Sequence, residues 1–257
     1  MFNKLLPVAL STAVALAATT SGAAHAVDPR IEAAVKVINP DATVHSVRAL
    51  PGLEEVKEVT ADSSVVYMDS TGRYLFFGTL LDLEEKRNLS EEAQSVARRL
   101  ALDAIPDSEK IIYAPSNVLH RVVVFTDISC TYCQRLHQRV ADYNDRGIAI
   151  EYVAFPRGGE QNPAWEQMRS IWCAADPKAA YDAAVAGQAP EAGASCSDPV
   201  GSHYALGEAL DVRGTPALFT STGRLISGFM EPDRLLVTLE RFKQEDAAQA
   251  TAAAGSR

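Results

Sequence analysis

Two cysteines three positions apart, Cys130 and Cys133, follow an apolar, β-branched and aromatic run, Val122-Val123-Val124-Phe125. The thiolate is the nucleophilic form of cysteine, and a Cys-x-x-Cys pair passes between dithiol and disulfide by thiolate attack on sulfur. Cys133, Leu136, His137, Val140 and Tyr143 recur at helical spacing, which predicts a helix with Cys130 at its N-terminus. Unpaired N–H groups and the positive end of the helix dipole favour an anion at that point. Cys130 is therefore the expected attacking thiol, and Cys133, one turn on and more enclosed, suits a resolving thiol. The same pair also fits a buried disulfide or half of a zinc site. A zinc site usually shows a second cysteine or histidine pair at ligand spacing, which His137 with the distant His120 and His203 does not supply. The expectation is redox chemistry with no metal and no cofactor.

The elements that must position this pair follow from the chain around it. The run through Phe125 reads as a strand buried on both faces, the Cys130 helix runs to Asn144, and Ile148 to Phe155 supplies a further strand, a βαβ logic. Helical patterns follow over Pro163 to Asp176, Pro177 to Val185 and Val200 to Leu210. Strands are expected over Pro216 to Thr220 and Leu225 to Phe229, then a last helix from Pro232 to Phe242. Beyond Gln244 the Ala-rich end carries no large apolar anchor, so 246–257 reads as a disordered tail. Upstream, Pro29 opens a helix that ends at Asn39-Pro40, and short strands follow at Ala42 to Leu50, Val56 to Thr60, Val65 to Met68 and Tyr74 to Leu81. Asn88, with Glu91 three residues on, caps a connecting helix that Pro106 stops.

The chain has 257 residues, 47% hydrophobic and 22% charged, with a formal charge of −9. That composition is globular, with room for one large or two smaller domains. An acidic chain without a basic run argues against nucleic-acid partners and against adhesion to anionic lipid. Lys4, the apolar stretch Leu5 to Ala18 and Ala24-His25-Ala26 form the three parts of a secretory signal peptide over 1–26. Export places Cys130, Cys133, Cys173 and Cys196 where disulfides persist. One tight pair and one wide pair point to two bridges of different character.

The motifs occur in an order that resembles the thioredoxin superfamily, and more closely the periplasmic DsbC-type disulfide isomerases. The matching blocks are Val124-Phe125-Thr126-Asp127-Ile128-Ser129-Cys130 with Tyr132-Cys133, Ala141-Asp142-Tyr143-Asn144, Ala154-Phe155-Pro156-Arg157, Ile171-Trp172-Cys173-Ala174, His203-Tyr204-Ala205-Leu206-Gly207 and Gly214-Thr215-Pro216-Ala217. The resemblance implies an α+β chain: a small cystatin-like dimerisation domain over 27–87, a linker helix over 88–105, and a thioredoxin-like catalytic domain with a helical insertion over 106–245. It further implies a homodimer, a cis peptide at Thr215-Pro216 facing the dithiol, and a structural disulfide between Cys173 and Cys196. Chain-entropy reasoning gives such a bridge roughly 3 kcal/mol. Many members carry glycine after the first active-site cysteine, where this chain has Thr131 before Tyr132; the residues between the cysteines influence thiolate stability.

Asp127 and Arg157 stand near the C-terminal ends of their strands, where α/β folds place their sites. They either tune the thiols, Arg157 toward the thiolate and Asp127 away from it, or cap strand ends and pair with each other. His137 is open to the same two readings, while Trp172 and Phe155 read as core. The family implies reduction and isomerisation of incorrect disulfides in exported proteins, in the periplasm, with a DsbD-like inner-membrane thiol reductase as electron donor. Alternatives are a DsbG-like reductase of single oxidised cysteines and a chaperone-like binding module.

Overall fold

The computed structural model describes residues 27–190 and 196–255; the expected signal peptide and the last two residues lie outside them. Helix α1 (Pro29–Ile38) starts under the Asp28 side chain, which accepts from Arg30 N at 2.9 Å. It lays Ile31 and Val35 on an antiparallel sheet of β1 (Val44–Leu50), β2 (Leu53–Ala61), β3 (Ser64–Asp69) and β4 (Leu75–Phe76), where they meet Ala42, Val59 and Met68 in a small core. The single strand expected over Tyr74 to Leu81 is broken: Gly78 turns at φ 142°, and the chain restarts as a hairpin of β5 (Leu81–Asp82) and β6 (Arg87–Asn88).

Helix α2 (Leu89–Asp103) is capped by Asn88, whose side chain accepts from Glu91 N at 3.0 Å. It touches both parts of the chain. Near its start Ser90 Oγ donates to Tyr67 Oη at 3.0 Å and Gln94 Oε1 accepts from Val65 N at 3.1 Å, both on β3. At its other end Leu102, with Ile105 beyond it, packs beneath the second sheet. Between these points the turn at Gly223 presses on the helix so closely that a Cβ there would stand 1.9 Å from the Ser95 carbonyl oxygen.

The second sheet holds β7 (Ile111–Tyr113), β8 (His120–Thr126), β9 (Ile148–Ala154), β10 (Ala217–Thr220) and β11 (Leu225–Ser227) in the order β11-β10-β8-β9-β7. Only β8 and β9 run parallel. Strand β8 alternates in the expected period of two: Val122 and Val124 join the larger core, while Val123 and Phe125 face Leu102, Leu210 and Phe219 on the other side. Strand β9 is buried at every position, Glu151 included. That carboxylate is matched by Lys110 at 3.2 Å and Arg121 at 2.6 Å.

Between β8 and β9 lie α3 (Thr131–Gln138) and α4 (Val140–Asn144); between β9 and β10 lie α5 (Ala164–Trp172), α6 (Pro177–Val185) and α7 (Val200–Ala209). The one helix expected from Cys130 to Asn144 is thus two, bent at Arg139 with ψ at 11° and no proline or glycine to announce it. Helix α5 stops at Trp172, and Cys173 is joined to Cys196 by a disulfide with Cα atoms 5.8 Å apart. The disordered tail expected over 246–257 is corrected, because α8 (Pro232–Gly255) continues well past Phe242. Arg224 pairs with Glu245 and Asp246 on that segment, and alanine has the highest helix propensity, so no large apolar anchor is required. No helix among the described residues is long and apolar enough to cross a membrane.

Candidate active site

Strand β8 ends at Thr126 in the middle of the sheet, and Asp127, Ile128 and Ser129 turn the chain into α3. Cys130 is the N-cap of that helix: its N–H donates to Asp127 O and its carbonyl accepts from Gln134 N, each at 3.0 Å. The antiparallel register that sets Ala217 opposite Phe125 brings the Thr215-Pro216 peptide, which is cis, over the cysteine pair. Cys130 Sγ donates to the Thr215 carbonyl at 3.2 Å. Among the described residues the buried Thr215 hydroxyl has no hydrogen-bond partner, and it is one of the groups that favour charge on Cys130.

The two thiols are separated by charge preference more than by access. Cys130 is only 3% exposed, more enclosed than its helix-terminal position suggests, and Cys133 is 1% exposed. A hydrogen bond from the Cys133 thiol holds Cys130 well below the usual thiol range against the opposing effect of burial; the Thr215 hydroxyl, the Cys133 N–H and Arg157 add to it. Burial pushes Cys133 far up, and its hydrogen bond to Cys130 pushes it further. One thiol is set to ionise and its neighbour to stay protonated.

Asp127 and Arg157 do meet. The Asp127 carboxylate is wholly buried and accepts from Ser129 N and Oγ, both at 2.7 Å, from Arg157 N at 3.0 Å and from Arg157 Nε at 2.8 Å. Register sets this up, since Thr126 lies opposite Ala154 in the parallel β8–β9 pair and both chains leave the sheet at one level. Arg157 is also among the charges acting on Cys130, where it favours the ionised form. Thr131 sits exposed in the first turn, and Tyr132 is exposed and stacks on Phe229, ring centroids 6.5 Å apart, with the Arg135 guanidinium over the Phe229 ring 4.6 Å from its centroid.

His137 makes its hydrogen bond to Asp182 at 3.0 Å, packed among Tyr113, Tyr152 and Tyr181, and burial holds its pKa below the usual value. It has the character of a packed helix residue, and Trp172 and Phe155 are core. Sequence reading missed Thr126, Tyr181 and Phe229. Thr126 and Tyr181 meet across 55 positions with their hydroxyls 2.7 Å apart, and Phe229 reads only as the end of a strand. No local pattern marks such a meeting.

A strand–turn–helix unit carrying an asymmetric Cys-x-x-Cys at the helix start, under a Thr–cis-Pro peptide, defines a thioredoxin-like thiol–disulfide oxidoreductase. The family description "Thioredoxin-like domain" matches residues 108–243, and "Disulfide bond isomerase protein N-terminal domain" matches residues 22–91. The thiol:disulfide interchange protein DsbC of Salmonella typhimurium is 34% identical over 232 residues, covering 90% of this chain and 94% of that one. The DsbC of Haemophilus influenzae is 39% identical over 191 residues, 74% of this chain and 81% of that one. Among solved structures, a disulfide interchange protein from Neisseria gonorrhoeae is 26% identical with a TM-score of 0.48, covering 53% of this chain and 97% of that one. The chain belongs to the DsbC family of thiol:disulfide interchange proteins.

Proposed function

We propose that the chain reduces and isomerises incorrect disulfides of exported proteins in the periplasm, with Cys130 as nucleophile and Cys133 as resolving thiol. The Cys130 thiolate attacks a substrate disulfide and forms a mixed disulfide, and one substrate sulfur leaves as a thiol. A second substrate thiol then releases the enzyme, completing an isomerisation, or Cys133 does so and leaves a Cys130–Cys133 disulfide, completing a reduction. The opposed preferences of the two thiols carry this reading: one is ready to attack at neutral pH while the other waits. In this scheme Thr215, Pro216, Thr131 and Tyr132 border the reacting sulfur, Asp127 and Arg157 bias its charge, and the Cys173–Cys196 bridge is structural. A thiol reductase of the DsbD type would return the oxidised dithiol to its reduced state.

Residues 27–87 serve as the dimerisation domain, 88–105 as the linker and 106–245 as the catalytic domain. Exposed Phe76, Phe77, Leu81 and Leu83 on the first of these support a role in contact with a second copy or with unfolded substrate. The test is refolding of a scrambled multi-disulfide protein by catalytic amounts of this one. Cys130→Ser should abolish activity. Deletion through Arg99 should give a monomer that still reduces disulfides per site but has lost most isomerisation. A truncated monomer that isomerises as well as the whole protein would overturn the division of labour.

A further inference from the structure

Helix α7 ends at Ala209, and a helix end leaves its last carbonyls without partners inside the helix. The chain there folds back on three of them: Leu210 N donates to Leu206 O at 2.9 Å, Val212 N to Gly207 O at 2.9 Å and Asp211 N to Glu208 O at 3.0 Å. The fourth, on Ala209, is met by a residue 146 positions earlier, Ser63, whose Oγ donates to it at 2.8 Å. Ser63 lies in the turn between β2 and β3 of the first domain and is 5% exposed. That turn is held firmly. Asp62, at φ 50°, donates through its N–H to Thr43 O at 2.9 Å, and its carboxylate accepts from Thr43 N at 3.0 Å. The Ser63 carbonyl accepts from the Gln94 side-chain amide of α2. One residue thus joins the first domain, α2 and the end of α7.

The two seams of α2 differ in kind. Toward the catalytic domain, Leu102 and Ile105 share a core with Phe125 and Phe219, and the Gly223 turn leaves no room for even a methyl group beside Ser95. Toward the first domain the join is made by hydrogen bonds: Ser90 with Tyr67, Gln94 with Val65 and Ser63, and Ser63 with Ala209. The core of the first domain closes among α1 and its own sheet. Neutral hydrogen bonds exchange for bonds to water at small net cost, whereas parting the aromatic core exposes large apolar surface. Opening therefore takes place at the polar seam.

We propose that Ser63 is an interdomain latch. By capping α7 it holds the first domain against the catalytic domain, and when it lets go the two part at this seam, with α2 travelling with the catalytic domain. A latched chain keeps its dithiol at a set distance from residues 27–87. The effect of that distance on isomerisation rests on the division of labour proposed above; the latch itself does not.

The test measures distances between paired nitroxide labels in the full-length chain, in a Cys130→Ser, Cys133→Ser background and with labelled chains diluted into excess unlabelled protein. One pair, Val37→Cys with Val237→Cys, spans the first domain and α8; the other, Leu100→Cys with Val237→Cys, spans α2 and α8, and all three positions are exposed. Ser63→Ala should broaden the first distribution toward longer distances and leave the second as narrow as before. Hydrogen exchange at Leu210 to Val212, read by mass, should quicken about fivefold, the scale of one neutral hydrogen bond. Gln94→Leu, which frees Ser63 from α2, should broaden the first pair alike, so the test holds if Ser63→Ala folds poorly. With the dithiol intact and no labels, Ser63→Ala should reduce disulfides per site at the wild-type rate while its refolding of a scrambled protein falls. If the first distribution broadens and refolding is unchanged, the latch stands and the division of labour between the domains fails. A first pair unchanged in both variants, exchange at Leu210 to Val212 unaltered in Ser63→Ala, or a second pair that broadens with the first overturns the latch.

Discussion

Arg157→Met removes the one charged partner that Asp127, a carboxylate with no solvent contact, has among the described residues. Three of the four hydrogen bonds to Asp127 survive, those from Ser129 N, Ser129 Oγ and the main-chain N of residue 157. Removing one member of a buried ion pair costs roughly 3–5 kcal/mol. The guanidinium side is 46% exposed, so water takes up part of its place. With the surviving bonds counted, the expected loss is about 2 kcal/mol. The same change leaves a negative carboxylate uncompensated near the dithiol and withdraws a cation that favours the Cys130 thiolate. The pH midpoint for alkylation of Cys130 should therefore rise. Urea unfolding of the reduced protein reads the first effect, and iodoacetamide labelling across pH reads the second. Arg157→Lys, which keeps the charge and loses the fork geometry, should recover more of the labelling profile than of the stability. The account fails if Arg157→Met stays within about 0.5 kcal/mol of wild type, as an ordinary surface substitution would, and its labelling profile does not move.

Three further outcomes can be checked. Cys130 ionises more readily in the folded reduced protein than in the unfolded chain, so its charge contributes stability that is full above the unfolded thiol value of about 8.5 and is lost as pH falls through the folded value. The stability of reduced wild type relative to reduced Cys130→Ser should shrink on acidification in a urea series, and a gap that widens toward acid would contradict this. Replacing both Cys173 and Cys196 by alanine opens a loop of 23 residues' separation and should cost about 3 kcal/mol in denaturant unfolding with dithiol reductase activity kept; an unchanged midpoint would remove the bridge from the stability account. Gly207→Ala would put a Cβ 2.4 Å from the Phe155 ring and 3.2 Å from Phe125, and overpacking of this kind costs about 1–3 kcal/mol. A melting temperature equal to wild type would mean that Phe155 yields without cost.

What could be read from sequence was what depends on short range. The Val122–Phe125 run, the helix that begins after Cys130, the Pro29 helix start, the Asn88 cap and the whole extent of α6 each carry their signal within a few residues. Strand β7 has only Ile111 to Tyr113, too short to display a period, and the bend at Arg139 has no Pro or Gly to mark it. At the site, the types and spacing of Cys130 and Cys133 spoke for themselves, whereas the peptide at Thr215-Pro216 and the pair Cys173 and Cys196 came from family resemblance. The near-complete enclosure of Cys130 leaves no sign in its own neighbourhood, because the Thr215 loop that covers it arrives 85 residues later. The Thr126–Tyr181 contact and the buried fit of Asp127 with Arg157 depend on register across the sheet and on the insertion, neither of which leaves a mark on the residues nearby.

The wide bridge joins the third cysteine of the chain to the fourth and leaves the first two for each other. Of the connectivities open to four cysteines, this is the one with nothing nested and nothing crossed. A polypeptide that emerges N-terminus first offers its thiols in that order, so an indiscriminate oxidant joining each new cysteine to its unpaired predecessor closes the Cys173–Cys196 bridge and leaves Cys130 and Cys133 in the oxidised form of the catalytic pair, which a reductase then opens. Maturation of a protein that corrects the pairing of others thus requires no earlier copy of itself.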